Sequence, residues 1–304
     1  MTAIAFFADR NVVVATHVAI ASTLAHWRGS DALKIHLFHD GLPDAGLARL
    51  RETIDLARRP AVFREALVDL SRVRRWRSLY GSHMPYGRLF LPELMPHHDE
   101  VLYLDVDVIV EMDIRDILSA GDADCAVSAM KAWDFTHSHD AELAQEAGIA
   151  GDEPYFHSGL LVMHLERWRR EGLLAGCLEF GDRYGHRLRS HDQTILNVVC
   201  HGRIATLPHE LTTLFYPTNE NAPGYGDGTI RNFCGSPKPF DPLGNVLNVH
   251  FGLFNQWLTR TAMAGWSPNN FEQVYQFRRN LRLLKPMIGS AGKLMANRFR
   301  GRRI

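Results

Sequence analysis

Hydrophobic and polar positions along the first 60 residues follow two different periods. Residues 3–8 and 33–39 are short apolar runs, which are typical of buried strands. Residues 12–28 carry apolar side chains at helical spacing, and residues 44–58 predict a second helix. This strand–helix–strand–helix order favours a mostly parallel sheet with right-handed crossovers. The pattern therefore predicts an α/β fold.

A longer apolar run, VLYLDVDVIV at 101–110, is interrupted by Asp105 and Asp107. In one extended strand, these two side chains share a face and Val106 points the other way. Burying two neighbouring carboxylates without a partner is costly. A divalent cation such as Mg²⁺ or Mn²⁺ would relieve that cost. The alternative is a loop at the strand end, where both acids meet only water or backbone N–H groups.

The rest of the chain continues the alternation of strands and helices. Within residues 154–165 the patterns predict a turn at Ser158–Gly159, where the glycine permits close backbone approach to a ligand, and a strand. They also predict a loop over 216–228. The other predicted elements are a short strand within 61–80, helices at 84–95 and 113–119, a strand at 124–130, and helices at 166–181 and 192–201.

Composition restricts the class of protein. The chain has 304 residues, 46% hydrophobic and 22% charged, with 34 basic and 34 acidic side chains. This balance gives no global argument for nucleic-acid binding. The four cysteines are far apart and include no CxxC pair, which fits a reducing, cytoplasmic setting. No signal peptide and no membrane-spanning apolar run is recognised.

The C-terminal end is strongly basic. Residues 273–304 contain nine Lys or Arg and no acid, interleaved with apolar side chains. Such a segment is typical of an anchor on an anionic membrane surface. A disordered tail or an RNA-contacting tail is the alternative. We predict a catalytic domain over 1–265 and a basic amphipathic helical tail over 266–304.

Several polar side chains are placed where they could contact an anionic or sugar ligand. Asp9 and Asn11 end the first strand, where they could bind a nucleoside or only cap the next helix. Arg88 could reach a phosphate or form a surface ion pair. Asp192 and Gln193 could hold sugar hydroxyls, although Asp192 could also be a helix cap. His137, Ser138, His139 and Asp140 could suggest a metal site, but such a cluster is more often a solvated loop.

A rigid loop follows later in the chain. Gly235 frees the backbone, and two prolines flank Lys238. A cation held on such a loop suits a diphosphate, whereas a solvated surface lysine is the simpler explanation.

Taken in order, five blocks resemble glycosyltransferase family 8, a group of retaining enzymes with the GT-A fold. The resemblance covers roughly residues 1–260. It implies that Ala8, Asp9 and Asn11 contact the nucleotide, that Arg88, Val106, Gly235 and Lys238 contact the donor, and that Asp105 and Asp107 form the DxD metal pair. It further implies that His157, Ser158, Asp192 and Gln193 line the sugar. The blocks are FADRN (7–11), PYGRLFLPELMPHHDEVLYLDVDVIV (85–110), YFHSGLLVMHLERWR (155–169), HDQTILN (191–197) and FCGSPKPFD (233–241).

Three positions depart from the family pattern. Asn232 replaces the metal-binding His of the HYxGxxKPW signature, and His157 replaces the Asn before Ser-Gly. An acid after the strand at 124–130 is matched by Lys131. Asn232 can still bind a hard cation through its carbonyl oxygen. His250 is a rival third ligand, but Asn232 keeps the spacing to Gly235 and Lys238.

The resemblance implies transfer of a hexose, galactose or glucose, from a UDP-sugar to a saccharide or glycolipid hydroxyl, with Mn²⁺ or Mg²⁺ as cofactor. Synthesis of lipopolysaccharide or another surface polysaccharide, at the inner face of the membrane, would be the setting. One alternative is a catalytically weak homologue that binds nucleotide sugar. The other is a phosphohydrolase of the haloacid dehalogenase type, because the segment LDVDVIV loosely fits the nucleophile motif of that class.

Overall fold

The structure is a computed structural model that describes residues 2–218, 230–268 and 277–299. The strands are β1 (Ala3–Ala8), β2 (Leu33–His39), β3 (Ala61–Leu67), β4 (Glu100–Leu104), β5 (Val108–Val110), β6 (Val127–Asp134), β7 (Pro154–His164), β8 (Ile204–Leu207), β9 (Thr212–Phe215) and β10 (Ile230–Phe233). The helices are α1 (Val13–His26), α2 (Asp44–Leu56), α3 (Leu91–Leu94), α4 (Ile114–Ser119), α5 (Ala141–Glu146), α6 (Leu165–Arg170), α7 (Leu173–Tyr184), α8 (Asp192–Val199), α9 (Gly244–Leu247), α10 (Phe251–Leu258) and α11 (Phe277–Phe299).

Seven strands form the main sheet, in the order β3-β2-β1-β4-β7-β6-β8. Strand β7 runs antiparallel to both β4 and β6, and every other adjacent pair in this sheet is parallel. Six of the seven strands therefore point the same way. The predicted mostly parallel sheet is confirmed.

Both faces of this sheet are buried. Along β1, Ala3, Ala5 and Phe7 pack into one apolar cluster, while Ile4 and Phe6 pack into another on the opposite face. Strands covered on both faces read as continuous apolar runs rather than alternating ones. This is why the first strand is recognisable in the sequence only as an apolar run.

The run at 101–110 is not one strand. Strand β4 belongs to the main sheet, whereas β5 belongs to a second sheet with the order β5-β10-β9. The segment between them is fixed on two sides, because the Asp105 N–H donates to the carbonyl of Gly159 (2.8 Å) and the Asp107 carbonyl accepts the N–H of Phe233 (2.9 Å). The two acids therefore lie at the crossing between the sheets.

Several other helices and strands have bounds that differ from the predicted ones. Ser158 and Gly159 lie inside β7 rather than in a turn before a strand, opposite a register shift in its pairing with β6. The strand predicted at 124–130 is β6, which extends to Asp134. The helix predicted at 166–181 is divided into α6 and α7 by Gly172, whose φ is +64°. The helix predicted at 84–95 is a 3₁₀ segment, Met84–Phe90, followed by α3.

A long helix, α11, occupies the central part of the predicted basic tail. Residues 269–276 and 300–304 of that tail, and 219–228 of the predicted loop, lie outside the described residues. Among the helices in the described ranges, none combines the length and apolar character needed to cross a bilayer.

Candidate active site at the sheet crossing

An open cavity of about 570 Å³ lies where β1 and β4 end and the two sheets meet. Open α/β sheets bind ligands at such carboxyl edges. Ala8 and Asn232 are buried beside it, on β1 and β10, without being among its lining residues. The other predicted site residues all line the cavity, namely Asp9, Asn11, Arg88, Asp105, Val106, Asp107, His157, Ser158, Asp192, Gln193, Gly235 and Lys238.

Arg88 joins two acids that are far apart in the sequence. Its Nη2 donates to Asp105 Oδ1 (2.8 Å), and its Nε lies 3.1 Å from Asp192 Oδ2, an ion pair without hydrogen-bond alignment. Its Nη1 also donates to the Ser158 carbonyl. Burial acts to lower the pKa of Arg88, but the charges of Asp105 and Asp192 outweigh burial and raise it. Arg88 is thus a buried, permanently charged centre and not a surface ion-pair partner.

Tyr103 completes this centre, although no motif predicts it. Its hydroxyl donates to Asp105 Oδ1 (2.5 Å), and its ring lies under the Arg88 guanidinium at 4.3 Å. A cation over an aromatic face is an attractive arrangement. Because Tyr103 stands two residues before Asp105, strand alternation alone could have placed it on the same side.

Lys238 reaches the other acid from a different element. Its Nζ donates to Asp107 Oδ2 (2.6 Å) and to the Phe233 carbonyl. Burial raises the pKa of Asp107, as does Asp105, while Lys238 opposes that rise. The Asp107 Oδ1 atom is buried without a hydrogen-bond partner. The predicted lysine is therefore an ion-pair partner inside the site and not a solvated surface residue.

Gly159 allows three side chains to converge beside Asp107. A Cβ at this position would lie 2.6 Å from Asn232 Nδ2, 2.6 Å from His157 Cε1 and 2.9 Å from Asp105 Oδ2. The sequence suggested that this glycine makes room for a ligand. The structure shows that it makes room for the protein's own side chains.

The donor atoms here suit a hard divalent cation in part. The unpartnered Asp107 oxygen and the amide oxygen of Asn232 are ligand atoms of the kind that Mg²⁺ and Mn²⁺ prefer. The ring of His250, the rival third ligand, stacks on Phe215 with centroids 4.1 Å apart, and neither His250 nor Asn232 is among the residues that line the cavity. Within the described part of the chain, no three His, Cys, Asp or Glu side chains are grouped to hold a metal ion.

His157 is held as a neutral imidazole. Burial lowers the pKa of His157 to about 4, against the opposing effect of Asp105. The Gly159 N–H donates to His157 Nδ1 (3.1 Å), so the ring proton is on Nε2. His157 therefore offers the cavity a hydrogen-bond donor, as the amide of an asparagine would.

The start of α8 supplies the acid and amide predicted for the sugar. Burial raises the pKa of Asp192 to about 6, with Asp105 adding to the rise and Arg88 opposing it. Gln193 Oε1 accepts the N–H of Ser158 (3.2 Å). Asn197 fastens this helix to β7, because its amide bonds both the N–H (2.6 Å) and the carbonyl (2.8 Å) of Phe156.

A further acid, Asp140, fixes the loop that leads into α8. Its oxygens accept the N–H groups of Arg189 (2.9 Å) and Ser190 (2.8 Å) and the hydroxyl of Thr194 (2.6 Å). The polar segment around Asp140 is thus a structural support and not simply a solvated loop. His139, from the same segment, lines the cavity.

Asp9 and Lys131 occupy different settings. The Asp9 carboxylate accepts the N–H of Asn11 (2.8 Å), which shapes the turn before α1 and does not cap that helix. Asp9 and Asn11 both face the cavity. Lys131 is exposed and pairs with Asp134 (2.8 Å), and neither is among the lining residues.

The sequence of this chain is similar to that of known glycosyltransferases. The family model "Glycosyl transferase family 8" matches residues 3–239. A lipopolysaccharide 1,2-glucosyltransferase of Escherichia coli is 28% identical over 67% of this chain and 62% of its own length. A lipopolysaccharide 1,3-galactosyltransferase of Salmonella typhimurium is 22% identical over 79% of this chain and 73% of its own length.

Other relatives are considerably longer than the matched region. This chain spans about half (53%) of a Haemophilus influenzae protein described as a putative glycosyltransferase, at 22% identity over 57% of the chain, and 27% of a probable glycosyl transferase of Streptococcus gordonii, at 24% identity over 67% of the chain.

A solved structure supports the fold. Galactosyltransferase LgtC, in complex with donor and acceptor sugar analogues, superposes with a TM-score of 0.70 at 22% identity, over 86% of this chain and 96% of that one. The mostly parallel sheet flanked by helices is thus the GT-A fold. The matched region includes most of the chain and every predicted site residue, and the chain belongs to glycosyl transferase family 8.

Proposed function

We propose that this protein transfers a hexose from a UDP-sugar to a hydroxyl of a saccharide or glycolipid, with retention of configuration. Galactose or glucose is the expected sugar, and surface polysaccharide or lipopolysaccharide is the expected product. The observation that carries this proposal is the network of Arg88, Asp105, Asp107, Lys238 and Asp192 along one cavity. Two cations and three acids there suit a diphosphate, a divalent cation and a sugar.

Asp105 and Asp107 would hold Mn²⁺ or Mg²⁺, with Asn232 beside them as an uncharged third ligand. When bound, the cation supplies positive charge to the nucleotide diphosphate. The unpartnered Asp107 oxygen supports this assignment. Because Asn232 brings no charge, we expect weaker metal binding than a histidine would provide.

Lys238 and Arg88 would act on the leaving diphosphate. Departure of the sugar increases the negative charge on the β-phosphate, and fixed cations stabilise that charge without reorganising. Lys238 is kept protonated by Asp107, and Arg88 by Asp105 and Asp192. Asp9 and Asn11, which face the same cavity, would hold the nucleoside.

Asp192, Gln193, His157 and Ser158 would line the donor sugar. The Nε2 proton of His157 and the amide hydrogens of Gln193 are suited to its hydroxyl oxygens. Asp192 is engaged by Arg88, so we assign it to sugar positioning and not to nucleophilic attack. Attack from the front face would then leave the acceptor's proton to the departing phosphate.

The basic tail supports a location at the inner face of the membrane. Helix α11 exposes Leu284, Ile288 and Met295, and its sequence contains basic residues but no acid. Such a surface suits an anionic bilayer carrying a glycolipid acceptor.

Two other functions make different predictions. A binding-only homologue is favoured by Asn232, which removes a metal ligand, and it would bind UDP-sugar without turnover. A phosphohydrolase of the dehalogenase type is disfavoured, because its nucleophilic Asp normally follows the first strand, whereas Asp105 follows β4.

A panel of UDP-sugars tested by thermal shift and by sugar release, with and without Mn²⁺, would test the function. We expect UDP-galactose or UDP-glucose with Mn²⁺ to raise the melting temperature, because ligands of the native state stabilise it. Asp107→Asn should lower sugar release by about a hundredfold or more. Near-normal release by this variant would contradict the assigned role, and binding without release by the wild type would favour the binding-only homologue.

A further inference from the structure

Helix α11 packs one face against the body of the protein, close to the cavity. Leu283, Met287 and Ser290 are buried, with 1%, 8% and 7% of their surface exposed. Their i, i+4, i+7 spacing places them on one side of the helix. Leu283 also lines the cavity that contains Lys238. The helix is therefore part of the cavity wall.

The same face of α11 holds the loop that carries Lys238. The Ser290 hydroxyl donates to the carbonyl of Ser236 (3.3 Å). The next carbonyl, of Pro237, accepts the amide of Asn248 at the end of α9 (2.9 Å), and the Lys238 N–H donates to Asp241 (2.7 Å). Three successive residues of the loop are thus fixed, the first of them by α11.

An adjoining side of α11 is apolar and exposed. Leu284, Ile288 and Met295 are 51%, 65% and 62% exposed and share a face through their i, i+4, i+11 spacing. Helix α9 contacts α11 and exposes Val246. Leu284, Ile288 and Met295 define the outer face of α11.

Charge identifies the occupant of this outer face. Residues 277–299 contain six basic residues and no acid. An anionic lipid bilayer offers both the negative charge and the apolar interior that such a surface requires. RNA would match the charge but would leave the apolar side chains in water.

We propose that α11 docks on an anionic bilayer and that docking stabilises this contact between α11 and the Lys238 loop, so that the membrane surface tightens binding of the nucleotide donor. Ser290 and Leu283 are the positioning residues, since they link the helix to the loop and to the cavity wall. This regulation rests on the proposed function, because it requires a diphosphate ligand at Lys238. A coupling of typical size changes affinity by about fivefold or more.

The test measures UDP affinity by calorimetry with Mn²⁺, using the full chain. Phosphatidylglycerol–phosphatidylcholine vesicles are compared with pure phosphatidylcholine vesicles and with buffer. We expect a Kd for UDP at least fivefold lower on the anionic vesicles only. Leu284→Glu/Ile288→Glu should abolish vesicle binding and keep the Kd measured in buffer.

Ser290→Ala is the matched variant inside the helix. It should still sediment with anionic vesicles but should no longer show a lower Kd for UDP on them. Ser290→Thr, which keeps the hydroxyl, should restore the effect. A merely structural role of Ser290 would instead weaken UDP binding equally with and without vesicles, which would contradict the coupling.

The remaining outcomes separate this inference from the proposed function. Sedimentation of the wild type with an unchanged Kd for UDP would overturn the coupling and leave the transferase proposal standing. Failure to sediment with anionic vesicles would overturn the docking, although UDP binding in buffer would still support the transferase. Absence of UDP binding under every condition would overturn both.

Discussion

At the scale of residues, the site consists of charges that compensate one another before any ligand binds. Arg88 lies between Asp105 and Asp192, and Lys238 lies on Asp107. Burying any one of these groups alone would be costly, since an unpaired buried charge destabilises by several kcal/mol. Their pairing holds the charged side chains in place, so that they need little reorganisation during the reaction. Stabilisation of a departing diphosphate requires such fixed charges.

Replacing Gly159 by Ala tests the close packing of this site. The new Cβ would come within 3 Å of Asn232, His157 and Asp105, so at least one of them must move. We expect sugar release to fall by about a hundredfold, because displacement of reacting groups by about 1 Å has effects of that order.

Circular dichroism and the melting temperature of Gly159→Ala would serve as controls for folding. Gly46→Ala, in α2, is a matched variant away from the site, because that glycine also lacks a positive φ and has no neighbour within 4 Å of its Cβ. If Gly159→Ala released sugar at the wild-type rate, the convergence of the three side chains would be irrelevant to the reaction.

The raised pKa of Asp192 predicts a pH dependence. Burial, as the largest cause, brings it to about 6, so the carboxylate is ionised at pH 7 and becomes protonated as the pH falls below 6. Protonation removes a partner of Arg88 and an acceptor for sugar hydroxyls. We expect kcat/KM for sugar release to decline on the acid side with a midpoint near pH 6, measured by a pH–rate profile.

The Asp192→Asn variant provides the control for this profile. This variant should be less active at every pH, and its kcat/KM should not decline near pH 6. If the decline persisted unchanged in the variant, another group would be responsible for it.

At the scale of elements, a buried polar contact between two helices makes the stability of the fold depend on pH. Helices α1 and α2 meet at a hydrogen bond between His17 Nδ1 and Thr53 Oγ1 (2.6 Å), and both side chains are buried. The Thr53 hydroxyl also accepts the N–H of Ala262, after α10. This joint therefore connects α1, α2 and the segment after α10, and its burial disfavours a charged imidazole.

Burial, with a smaller effect from Arg49, lowers the pKa of His17 from 6.5 to about 4. Between these values the unfolded chain binds the proton more readily than the native one. The contribution to stability is therefore complete above pH 6.5 and is lost as the pH falls toward 4, by up to about 3 kcal/mol. His17→Gln should show a smaller loss over this range in urea unfolding, and an identical pH dependence would contradict this assignment.

At the scale of the whole molecule, charge is divided unevenly along a chain whose net charge is zero. Nine basic residues follow Glu272 and no acid does, which leaves 25 basic and 34 acidic side chains in residues 1–272. An anionic bilayer would attract the basic end and repel the acidic remainder. This division would orient the protein with α11 toward the membrane.

Salt should therefore weaken membrane binding strongly. Each basic residue near an anionic surface contributes about 1 kcal/mol, and this attraction is screened within a Debye length. Raising NaCl from 50 to 500 mM should lower the fraction that sediments with phosphatidylglycerol vesicles by about tenfold or more. Binding that is insensitive to salt, or equal on phosphatidylcholine vesicles, would contradict an electrostatic contribution from the tail.

The fold class, the family and twelve of the residues that line the cavity were predictable because they depend on local pattern and on short motifs. Apolar runs and helical spacing identified β1, α1 and β2. The divided run at 101–110 was not predictable, since both halves are equally apolar and only their partners, β7 and β10, assign them to different sheets. For the same reason the sequence indicated that Gly159 permits close approach, but it did not indicate which groups would approach.

The sequence by itself determined which chemical groups this protein has and the order in which strands and helices deliver them, because these follow from side-chain periodicity and backbone preference. Only the tertiary structure decided which groups meet. It paired Arg88 with Asp105 and Asp192, which are 17 and 104 residues away, and Lys238 with Asp107, which is 131 residues away. Pairing across such separations is set by how the two sheets cross and by the cost of burying a charge without a partner, and neither is recorded in the local pattern of residues.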